Sequence, residues 1–323
     1  MLIKAPLDLT HIAHLKRNGM LQADEDVLDS YKAGEGNMNV ILTIKTNKRY
    51  FVLKQSRPFV AKYPQIPAPL ERIEIEFKYY NAINKDNLLA CFSPNVLGFD
   101  KAAWLLALEY LDMGGDYLWL YEENATLKEE VADLMLTYLK KLHQLPVTDF
   151  PINQEMRELN HQHIFVLPYL PENGFNLDNV QEGLQDLSAM VKNNPALIEK
   201  IHLLGVRYKR LGKVLIHGDF YPGSWFETGK GLKIIDTEFA FLGDPEFDLA
   251  IMLAHLKMAR TSESELQRII KSYPLENTLL AQYTGVEILR RLFGLAQLPL
   301  FLSLEEKKEL ATYAINLILN EKI

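Results

Sequence analysis

Two short apolar segments, each ending in an aspartate, constrain this chain most strongly. Residues 214–219 (Val-Leu-Ile-His-Gly-Asp) predict a buried strand that ends at Asp219. A turn at residues 228–231 (Thr-Gly-Lys-Gly) leads to a second apolar segment, residues 232–236, which ends at Asp236. Since only a loop and a hairpin separate the strand ends, both carboxylates can face one cavity. Such a pair suits phosphoryl transfer, in which one carboxylate deprotonates a hydroxyl and another holds a metal against nucleotide phosphates.

The composition is that of an ordinary globular protein. The 323 residues are 48% hydrophobic and 24% charged, which is enough for one large domain or for two lobes with cores of their own. The formal net charge of −7 argues against general binding to nucleic acid or to anionic membranes, because both require a cationic surface. We expect no nucleic-acid partner and no membrane partner, and a homodimer is left open.

Three further features favour a cytoplasmic location. Cys91 is the single cysteine and cannot form an internal disulfide, which fits a reducing compartment. The first ten residues lack the basic-then-apolar order of a signal peptide. No apolar run approaches the ~20 residues that a membrane-spanning helix requires.

A period-two pattern in the amino-terminal part of the chain predicts a hairpin. Residues 34–39 (Gly-Glu-Gly-Asn-Met-Asn) precede its first strand, and Lys54 lies near the end of its second strand. In a kinase, Gly34 and Gly36 would let backbone amides approach phosphates, and Lys54 would pair with phosphate oxygens. An ordinary turn and a solvated lysine are the alternative interpretation.

The residues around the two aspartates resemble those of small-molecule kinases that share the protein-kinase fold, namely aminoglycoside phosphotransferases, choline kinases and methylthioribose kinases. The resemblance implies that Asp219 is the catalytic base and that Asp236 and Glu238 ligate magnesium. Ser224 stands where many relatives carry a metal-binding asparagine, so the resemblance implies that it is a third metal ligand. A single aspartate at a strand end is often a cap or turn residue, so the order of the whole set carries the resemblance.

A helix start at Asp244-Pro245, with the aspartate as N-cap, opens a strongly apolar segment that contains Asp248. An aspartate inside an apolar helix needs a partner. The resemblance implies that backbone amides of the loop around His217 supply it. We therefore expect His217 and Asp248 to support the catalytic loop. By contrast, His143, near the end of an amphipathic helix predicted over residues 124–144, is interpreted as a capping or surface residue.

A narrower resemblance, to methylthioribose kinases, lies in the amino-terminal hairpin. The Gly-rich, Asn-containing loop and the Lys-Gln dipeptide that leads to a Pro-aromatic pair are similar to those of that family. The resemblance implies that Gly34, Gly36 and Asn37 contact the nucleotide and that Lys54 pairs with its phosphates.

The carboxylate partner of Lys54 is expected on the next helix. The segment from Pro67 opens with prolines and continues with helix-forming residues. Glu76 is the best match to the family's helix glutamate, and Glu71 and Glu74 are the alternatives.

The strongest linker signal is residues 112–116 (Asp-Met-Gly-Gly-Asp), after a buried strand that ends near Leu111. The resemblance implies that residues 109–116 are a hinge between lobes. Backbone groups of Glu109 and Leu111 would then hydrogen-bond adenine.

Paired arginines, Arg290 and Arg291, lie in a predicted helix and precede Leu-Phe-Gly-Leu-Ala. They are similar to the twin-arginine segment that helps close the active site in methylthioribose kinases, which implies contact with substrate or phosphate. Adjacent arginines on a generic helix point about 100° apart and are usually solvated, so a surface location is the alternative.

The patterns and the resemblance together predict an α+β, two-lobed, protein-kinase-like fold. Residues 1–111 would form a small nucleotide-binding lobe with an antiparallel sheet and a helix. Residues 112–323 would form a large, mainly helical lobe for catalysis and substrate binding. The implied activity is phosphorylation of a small hydroxyl compound with ATP and Mg²⁺.

Methylthioribose, phosphorylated at its anomeric hydroxyl, is the best single acceptor. Another small alcohol, sugar, amino alcohol or aminoglycoside is the alternative, and a nucleotide-binding pseudoenzyme is a further one. Three departures from methylthioribose kinases bear on specificity. Tyr221 replaces a histidine, Thr237 replaces a proline, and residues 61–67 lack the family's tryptophan.

Overall fold

The computed structural model describes residues 1–34, 38–60, 63–112 and 114–323, and only the backbone of Tyr63. Two of the predicted nucleotide contacts, Gly36 and Asn37, lie outside these residues. The chain forms two compact units. The first contains Met1–Gly115 and Phe226–Ala240, and the second contains Asp116–Trp225 and Phe241–Ile323.

The strands are β1 (Val27–Lys32), β2 (Asn39–Thr46), β3 (Tyr50–Ser56), β4 (Phe59–Val60), β5 (Tyr63–Pro67), β6 (Val96–Asp100), β7 (Leu105–Glu109), β8 (Val214–Ile216), β9 (Trp225–Thr228), β10 (Gly231–Ile234) and β11 (Phe241–Gly243). The helices are α1 (Leu9–Arg17), α2 (Arg72–Ile83), α3 (Asn87–Ala90), α4 (Glu129–His143), α5 (Gln154–His161), α6 (Leu184–Leu187), α7 (Ala189–Lys192), α8 (Pro195–Tyr208), α9 (Pro245–Met258), α10 (Glu263–Ser272), α11 (Asn277–Phe293) and α12 (Leu304–Asn320).

A five-stranded antiparallel sheet, in the order β1-β2-β3-β7-β6, forms the centre of the first unit. Leu42 of β2 lies opposite Leu53 of β3, and both face a core that includes Leu15 of α1. Because strand residues alternate between faces, the neighbouring pair, Ile41 and Lys54, points to the opposite face. The hairpin predicted from the period-two pattern thus places Lys54 away from this core.

The helix α2 follows a proline-containing segment, as predicted, and carries a buried stripe at helical spacing. Ile73, Glu76, Tyr80 and Ile83 are all buried. Glu76 is the acidic member of this buried stripe, and the buried Arg72 precedes it by four residues. A carboxylate in that position requires a charged or hydrogen-bonding partner inside the unit.

Helices dominate the second unit. Nearly all of α9 is buried, and α11 packs against both α9 and α12. Asp244 does precede α9, but its side chain makes no capping hydrogen bond, because it binds Arg207 and Tyr283 instead. The predicted helix over residues 124–144 begins later, at Glu129, since the backbone of Lys128 is extended (φ −66°, ψ 140°).

The α+β class is confirmed, with the sheet in one unit and mainly helices in the other. The compact units differ from the predicted division at residue 111 because Phe226–Ala240 joins the first unit. Main-chain and side-chain hydrogen bonds anchor this segment, from Ile234 N to the carbonyl of Phe92 and from Lys233 to the carbonyl of Ser93. The division into a nucleotide-binding and a catalytic lobe stays a prediction.

The predicted linker contains a glycine that the fold requires. A Cβ atom at Gly114 would lie 1.5 Å from the carbonyl oxygen of Glu227, and Glu227 N donates to the carbonyl of Gly115 at 2.9 Å. Close backbone packing, rather than a left-handed turn, explains this glycine. Within the described residues, no helix combines the length and apolar character needed to cross a bilayer.

Candidate active-site clusters

Lys54 forms the centre of an ion-pair cluster in the first unit. Its Nζ lies 2.7 Å from Oε2 of Glu76 and 2.5 Å from Oδ1 of Asp236. Lys54 and Glu76 are buried, whereas 46% of the Asp236 side chain is exposed. Glu74, one of the alternative partners, instead pairs with Lys78 at 3.0 Å. The predicted pairing of Lys54 with Glu76 is therefore present.

The charges in this cluster keep Lys54 protonated. Burial lowers the pKa of the Lys54 ammonium, but the carboxylates of Asp236, Glu76 and Glu238 outweigh burial and raise the pKa above its ordinary value. Burial also raises the pKa of Glu76, and Lys54 offsets only part of that rise. Lys54 thus carries a fixed positive charge that two carboxylates orient.

Asp236, two residues after the end of β10, has an unusual backbone conformation. Its φ of 61° and ψ of 50° place it in the left-handed region, which aspartate tolerates better than most residues. Such conformations persist where the surrounding structure fixes them, and they cluster at functional sites. Here the backbone presents a half-exposed carboxylate beside Lys54.

Glu238 belongs to a buried cluster that the sequence did not reveal. Its Oε2 accepts a hydrogen bond of 2.6 Å from Nδ2 of Asn39 and lies 3.5 Å from Nε of Arg72. Arg72 Nε also donates to Oδ1 of Asn39 at 2.9 Å. Glu238 and Arg72 are 4% and 0% exposed. The acidic residue is therefore held by an amide and a guanidinium.

The donor set fits a magnesium site centred on one carboxylate. Within the part of the chain that the structure describes, no group of three or more His, Cys, Asp or Glu side chains could hold a metal. Magnesium, however, commonly uses only one or two carboxylates together with phosphates and water. The half-exposed Asp236 suits that role better than the enclosed Glu238 does.

Ser224, the third predicted metal ligand, lies in the second unit and is fully buried. Its Oγ donates a hydrogen bond of 2.9 Å to the main-chain carbonyl of Asp219. In this conformation the hydroxyl supports the loop that carries the predicted base. Metal ligation by Ser224 stays a prediction.

The loop after β8 is held from helix α9, as predicted. Oδ2 of Asp248 accepts from His217 N at 2.7 Å, and Oδ1 accepts from Gly218 N at 2.9 Å. Gly218 has a φ of 82°, a conformation that favours glycine. The two hydrogen bonds fix the backbone immediately before Asp219.

His143 is a buried partner of the same aspartate, so its interpretation as a capping or surface residue is wrong. Its side chain is 2% exposed, and Nε2 lies 3.1 Å from Oδ2 of Asp248. Nδ1 of His143 lies 2.9 Å from the hydroxyl of Tyr273. The relevant signal was helical spacing, since His143 follows the buried Leu139 by four residues and the buried Leu136 by seven.

Arg290 and Arg291 are buried, so a solvated surface location for them is wrong. They are 5% and 6% exposed. Nη2 of Arg290 lies 3.2 Å from Oδ1 of Asp219, and Nη2 of Arg291 lies 3.5 Å from the same oxygen. The predicted base and the predicted substrate-binding arginines therefore form one cluster in the second unit.

Opposing effects act on the Asp219 carboxyl. Burial raises its pKa, and the charges of Arg291 and Arg290 lower it, with a net rise above the ordinary value. About a fifth of the side chain, 21%, remains exposed. An accessible carboxylate with a raised pKa has the properties of a general base.

Glu287, which had no predicted role, contacts both arginines from within α11. The signal in the sequence was its spacing, since it precedes Arg290 by three residues and Arg291 by four.

The predicted adenine contacts at Glu109 and Leu111 stay predictions. Glu109 N already donates to the carbonyl of Asn95 at 2.9 Å. Gly34, another predicted nucleotide contact, has a φ of 62°, which lies in the left-handed region that favours glycine.

Comparisons with known proteins agree with the resemblance seen in the sequence. Methylthioribose kinase of Exiguobacterium sibiricum is 27% identical over 240 residues, which cover 70% of this chain and 60% of the relative. Methylthioribose kinase 1 of Oryza sativa subsp. japonica is 26% identical over 278 residues, which cover 80% of this chain and 64% of the relative. The matched region thus spans less than two thirds of each of these relatives.

A solved structure and a family model complete the comparison. A choline/ethanolamine kinase family protein from Mesorhizobium loti superposes with a TM-score of 0.57 at 16% identity, covering 95% of this chain and 97% of that one, which confirms the predicted kinase-like fold. The model of the phosphotransferase enzyme family matches residues 45–281. Because that match includes most of the chain, this protein belongs to the phosphotransferase enzyme family.

Proposed function

We propose that this protein is a kinase that transfers the γ-phosphoryl group of ATP to a hydroxyl of a small molecule, with methylthioribose as the best candidate acceptor. The observation that carries the proposal is the pairing of Asp219 with two buried arginines, Arg290 and Arg291. Family membership supports the reaction type. The two curated relatives described above are named methylthioribose kinases, which supports the choice of acceptor.

Asp219 acts as the general base in this proposal. Its carboxylate accepts the proton of the acceptor hydroxyl as the hydroxyl oxygen attacks the γ-phosphorus, and the bond to the leaving ADP oxygen breaks. Hydrogen bonds from His217 N and Gly218 N to Asp248 fix the loop that presents this carboxylate. The base therefore requires little rearrangement to reach its working position.

Arg290 and Arg291 act on charge and orientation. Each guanidinium offers N–H donors that can bind hydroxyl oxygens of the acceptor or oxygens of the transferring phosphoryl group. Contacts of this kind speed the reaction when they strengthen in the transition state. The pairing with Asp219 keeps both guanidiniums beside the position where the proton is accepted.

The nucleotide is assigned to the cluster in the first unit. Lys54 pairs with phosphate oxygens, and Glu76 holds the ammonium group in place at 2.7 Å. Asp236 would hold Mg²⁺, which neutralises part of the phosphate charge when bound. Glu238 acts mainly as a buried partner of Arg72 and Asn39.

One observation favours a second candidate, a kinase for a different small alcohol, sugar, amino alcohol or aminoglycoside. Tyr221 stands where methylthioribose kinases commonly have histidine, and its ring centre lies 4.9 Å from Cζ of Arg291. Tyr221, which departs from the family pattern, therefore contacts a predicted substrate-binding residue.

A pseudoenzyme is disfavoured because Lys54, Asp219 and Asp236 are all retained. A cytoplasmic location and a homodimer stay predictions.

The proposal is tested by ADP release in a coupled assay with Mg-ATP and a panel of methylthioribose, choline, homoserine and kanamycin. We expect acceptor-dependent ADP release that requires magnesium, with the highest kcat/KM for methylthioribose, and a phosphorylated product detectable by ³¹P NMR. A higher kcat/KM for another acceptor would select the second candidate. If no acceptor raises ADP release above the rate with ATP alone, the proposed kinase activity is wrong for this panel and its substrate classes.

A further inference from the structure

A buried carboxylate lies behind the two arginines. Glu287 is 2% exposed, and its Oε1 accepts a hydrogen bond of 2.8 Å from Nε of Arg291. Its Oε2 accepts a short hydrogen bond from Nε of Arg290. Each guanidinium is thus bound to Glu287 through Nε, while its terminal Nη2 faces Asp219. One carboxylate therefore sets the direction of both guanidinium groups.

Glu287 is itself held from helix α9. Nε2 of His255 lies 2.8 Å from Oε1 of Glu287, and Nδ1 of His255 lies 2.5 Å from the hydroxyl of Tyr121. Burial lowers the pKa of His255 to about 4, and Glu287 opposes this shift only in part, so the imidazole is neutral near pH 7.

The neutral imidazole gives the hydrogen bonds a direction. A carboxylate can only accept, so Nε2 of His255 carries the hydrogen and Nδ1 accepts from the hydroxyl of Tyr121. A chain of hydrogen bonds then runs from Tyr121 through His255 to Glu287. Glu287 keeps its negative charge because the attraction of Arg290 and Arg291 overcomes its burial and lowers its pKa below the ordinary value.

We propose that Glu287 is a positioning residue that aims Arg290 and Arg291 at Asp219 and at the acceptor, and that His255 and Tyr121 fix the Glu287 carboxylate for this purpose. The inference rests on the proposed function, because the groups that Glu287 orients are the base and the substrate-binding arginines of the transfer. Glu287 touches neither acceptor nor nucleotide in this proposal.

Charge balance makes the expected consequence specific. Two guanidiniums face two carboxylates, Asp219 and Glu287, within the cluster. Without the charge of Glu287, both guanidiniums depend on Asp219 for a carboxylate partner. Because an unpaired buried charge is costly, both guanidiniums should then bind Asp219 more strongly. Asp219 is then held more tightly, and the arginines lose their fixed direction. The chemical step should suffer more than acceptor binding.

The central variant is Glu287→Gln, which keeps the shape of the side chain and removes its charge. We expect kcat to fall by roughly 10- to 100-fold, with a smaller change in KM for the acceptor. Mg-ATP affinity should stay within about twofold of wild type, because Glu287 contacts neither nucleotide nor acceptor in this proposal. Glu287→Asp keeps the charge but shortens the side chain by one methylene group, so its kcat should lie between those of Glu287→Gln and the wild type.

Glu265→Gln is the matched control. Glu265 pairs with Arg268 on α10 at the same three-residue spacing, but at a more exposed position. Its replacement should leave kcat and KM within about twofold of wild type. A fall in kcat shared by both glutamine variants would overturn the inference, because it would not depend on the arginines beside Asp219.

A second measurement needs no acceptor. In ¹H–¹⁵N spectra, the Nε–H groups of Arg290 and Arg291 should exchange slowly with water in the wild type and rapidly in Glu287→Gln. Arg290→Lys and Arg291→Lys assign the two signals. Slow exchange that persists in a folded Glu287→Gln, together with kcat within twofold of wild type, overturns the inference. If Glu287→Gln does not fold, Glu287→Asp decides: unchanged Nε–H exchange and unchanged kcat overturn it.

The two claims fail in different ways. A wild type that phosphorylates no acceptor, but shows protected Nε–H groups that Glu287→Gln exposes, leaves the positioning role of Glu287 intact and removes the proposed function. A wild type that phosphorylates methylthioribose, with no effect of Glu287→Gln on kcat or on exchange, retains the function and removes the positioning role.

Discussion

Nη2 of Arg290 lies 3.2 Å from Oδ1 of Asp219 in a largely buried cluster. The residue proposed as the base is therefore paired with a residue proposed to bind the acceptor or the phosphoryl group. Arg291 reaches the same oxygen at 3.5 Å. The two arginines consequently influence both the basicity of Asp219 and the charge available to the substrate.

This relationship predicts a pH effect. Asp219 works as a base only when ionised, so kcat/KM should fall as the pH drops through its pKa. Burial raises this pKa, and Arg291 and Arg290 lower it. Arg291→Ala removes part of the lowering, so the acidic limb of the profile should move to higher pH. A limb that stays in place or moves to lower pH in Arg291→Ala contradicts the assignment.

The arginines should also contribute directly to catalysis. We expect Arg290→Ala or Arg291→Ala, or both, to lose about tenfold or more in kcat/KM for the acceptor, which corresponds to ~1.4 kcal/mol of transition-state stabilisation. The loss should exceed any change in Mg-ATP affinity. Arg268→Ala, on the partly exposed face of α10, is the control and should change kcat/KM by less than twofold. Losses below twofold in both arginine variants would remove these residues from the site.

Asp236 and Glu238 should behave differently when each is replaced by alanine. Asp236→Ala should weaken Mg-ATP binding more, because Asp236 offers the half-exposed carboxylate. Glu238→Ala should mainly destabilise the fold, by about 3 kcal/mol, because Arg72 would remain buried without its carboxylate partner. Calorimetry with Mg-ATP and thermal unfolding separate the two effects. Weaker Mg-ATP binding in Glu238→Ala than in Asp236→Ala runs against this assignment.

His143 should stabilise the catalytic loop through Asp248. His143→Phe removes the 3.1 Å contact to Oδ2 of Asp248 and should lower the free energy of unfolding by ~1–3 kcal/mol. Tyr273→Phe, which removes the hydroxyl 2.9 Å from Nδ1 of His143, should cost less because Tyr273 is only partly buried. Denaturant unfolding measures both. If Tyr273→Phe lowers the free energy of unfolding as much as His143→Phe does, or more, the contact between His143 and Asp248 is not the main stabilising contact of His143.

Features set by local sequence were predictable. The resemblance identified Glu76 as the partner of Lys54, and strand alternation places Lys54 on the face of the sheet opposite the core that contains Leu15. The contacts of Asp248 follow from an acidic residue inside an apolar helix that needs hydrogen-bond donors. In both cases the resemblance identified the partner, and the need of a buried charged group for a partner agrees with it.

Features that depend on packing between distant segments were missed. One buried cluster joins Asn39 at the start of β2, Arg72 at the start of α2 and Glu238 in a turn. These three segments lie far apart in the chain. Glu287 and His255 lie on separate helices, and each alone resembles an ordinary polar residue in an apolar segment. Because no periodic pattern links such residues, only the packed structure reveals their partners.

The most direct test of the account is the transfer rate of Asp219→Asn with Mg-ATP and methylthioribose in a rapid-quench experiment. Asparagine keeps the shape of the side chain and cannot accept the proton as a carboxylate does, so we predict a fall of ~10²–10⁴ in rate. Mg-ATP affinity, measured by calorimetry, should stay within about twofold of wild type. A variant that retains more than about half of the wild-type rate would contradict the role of Asp219 as the base.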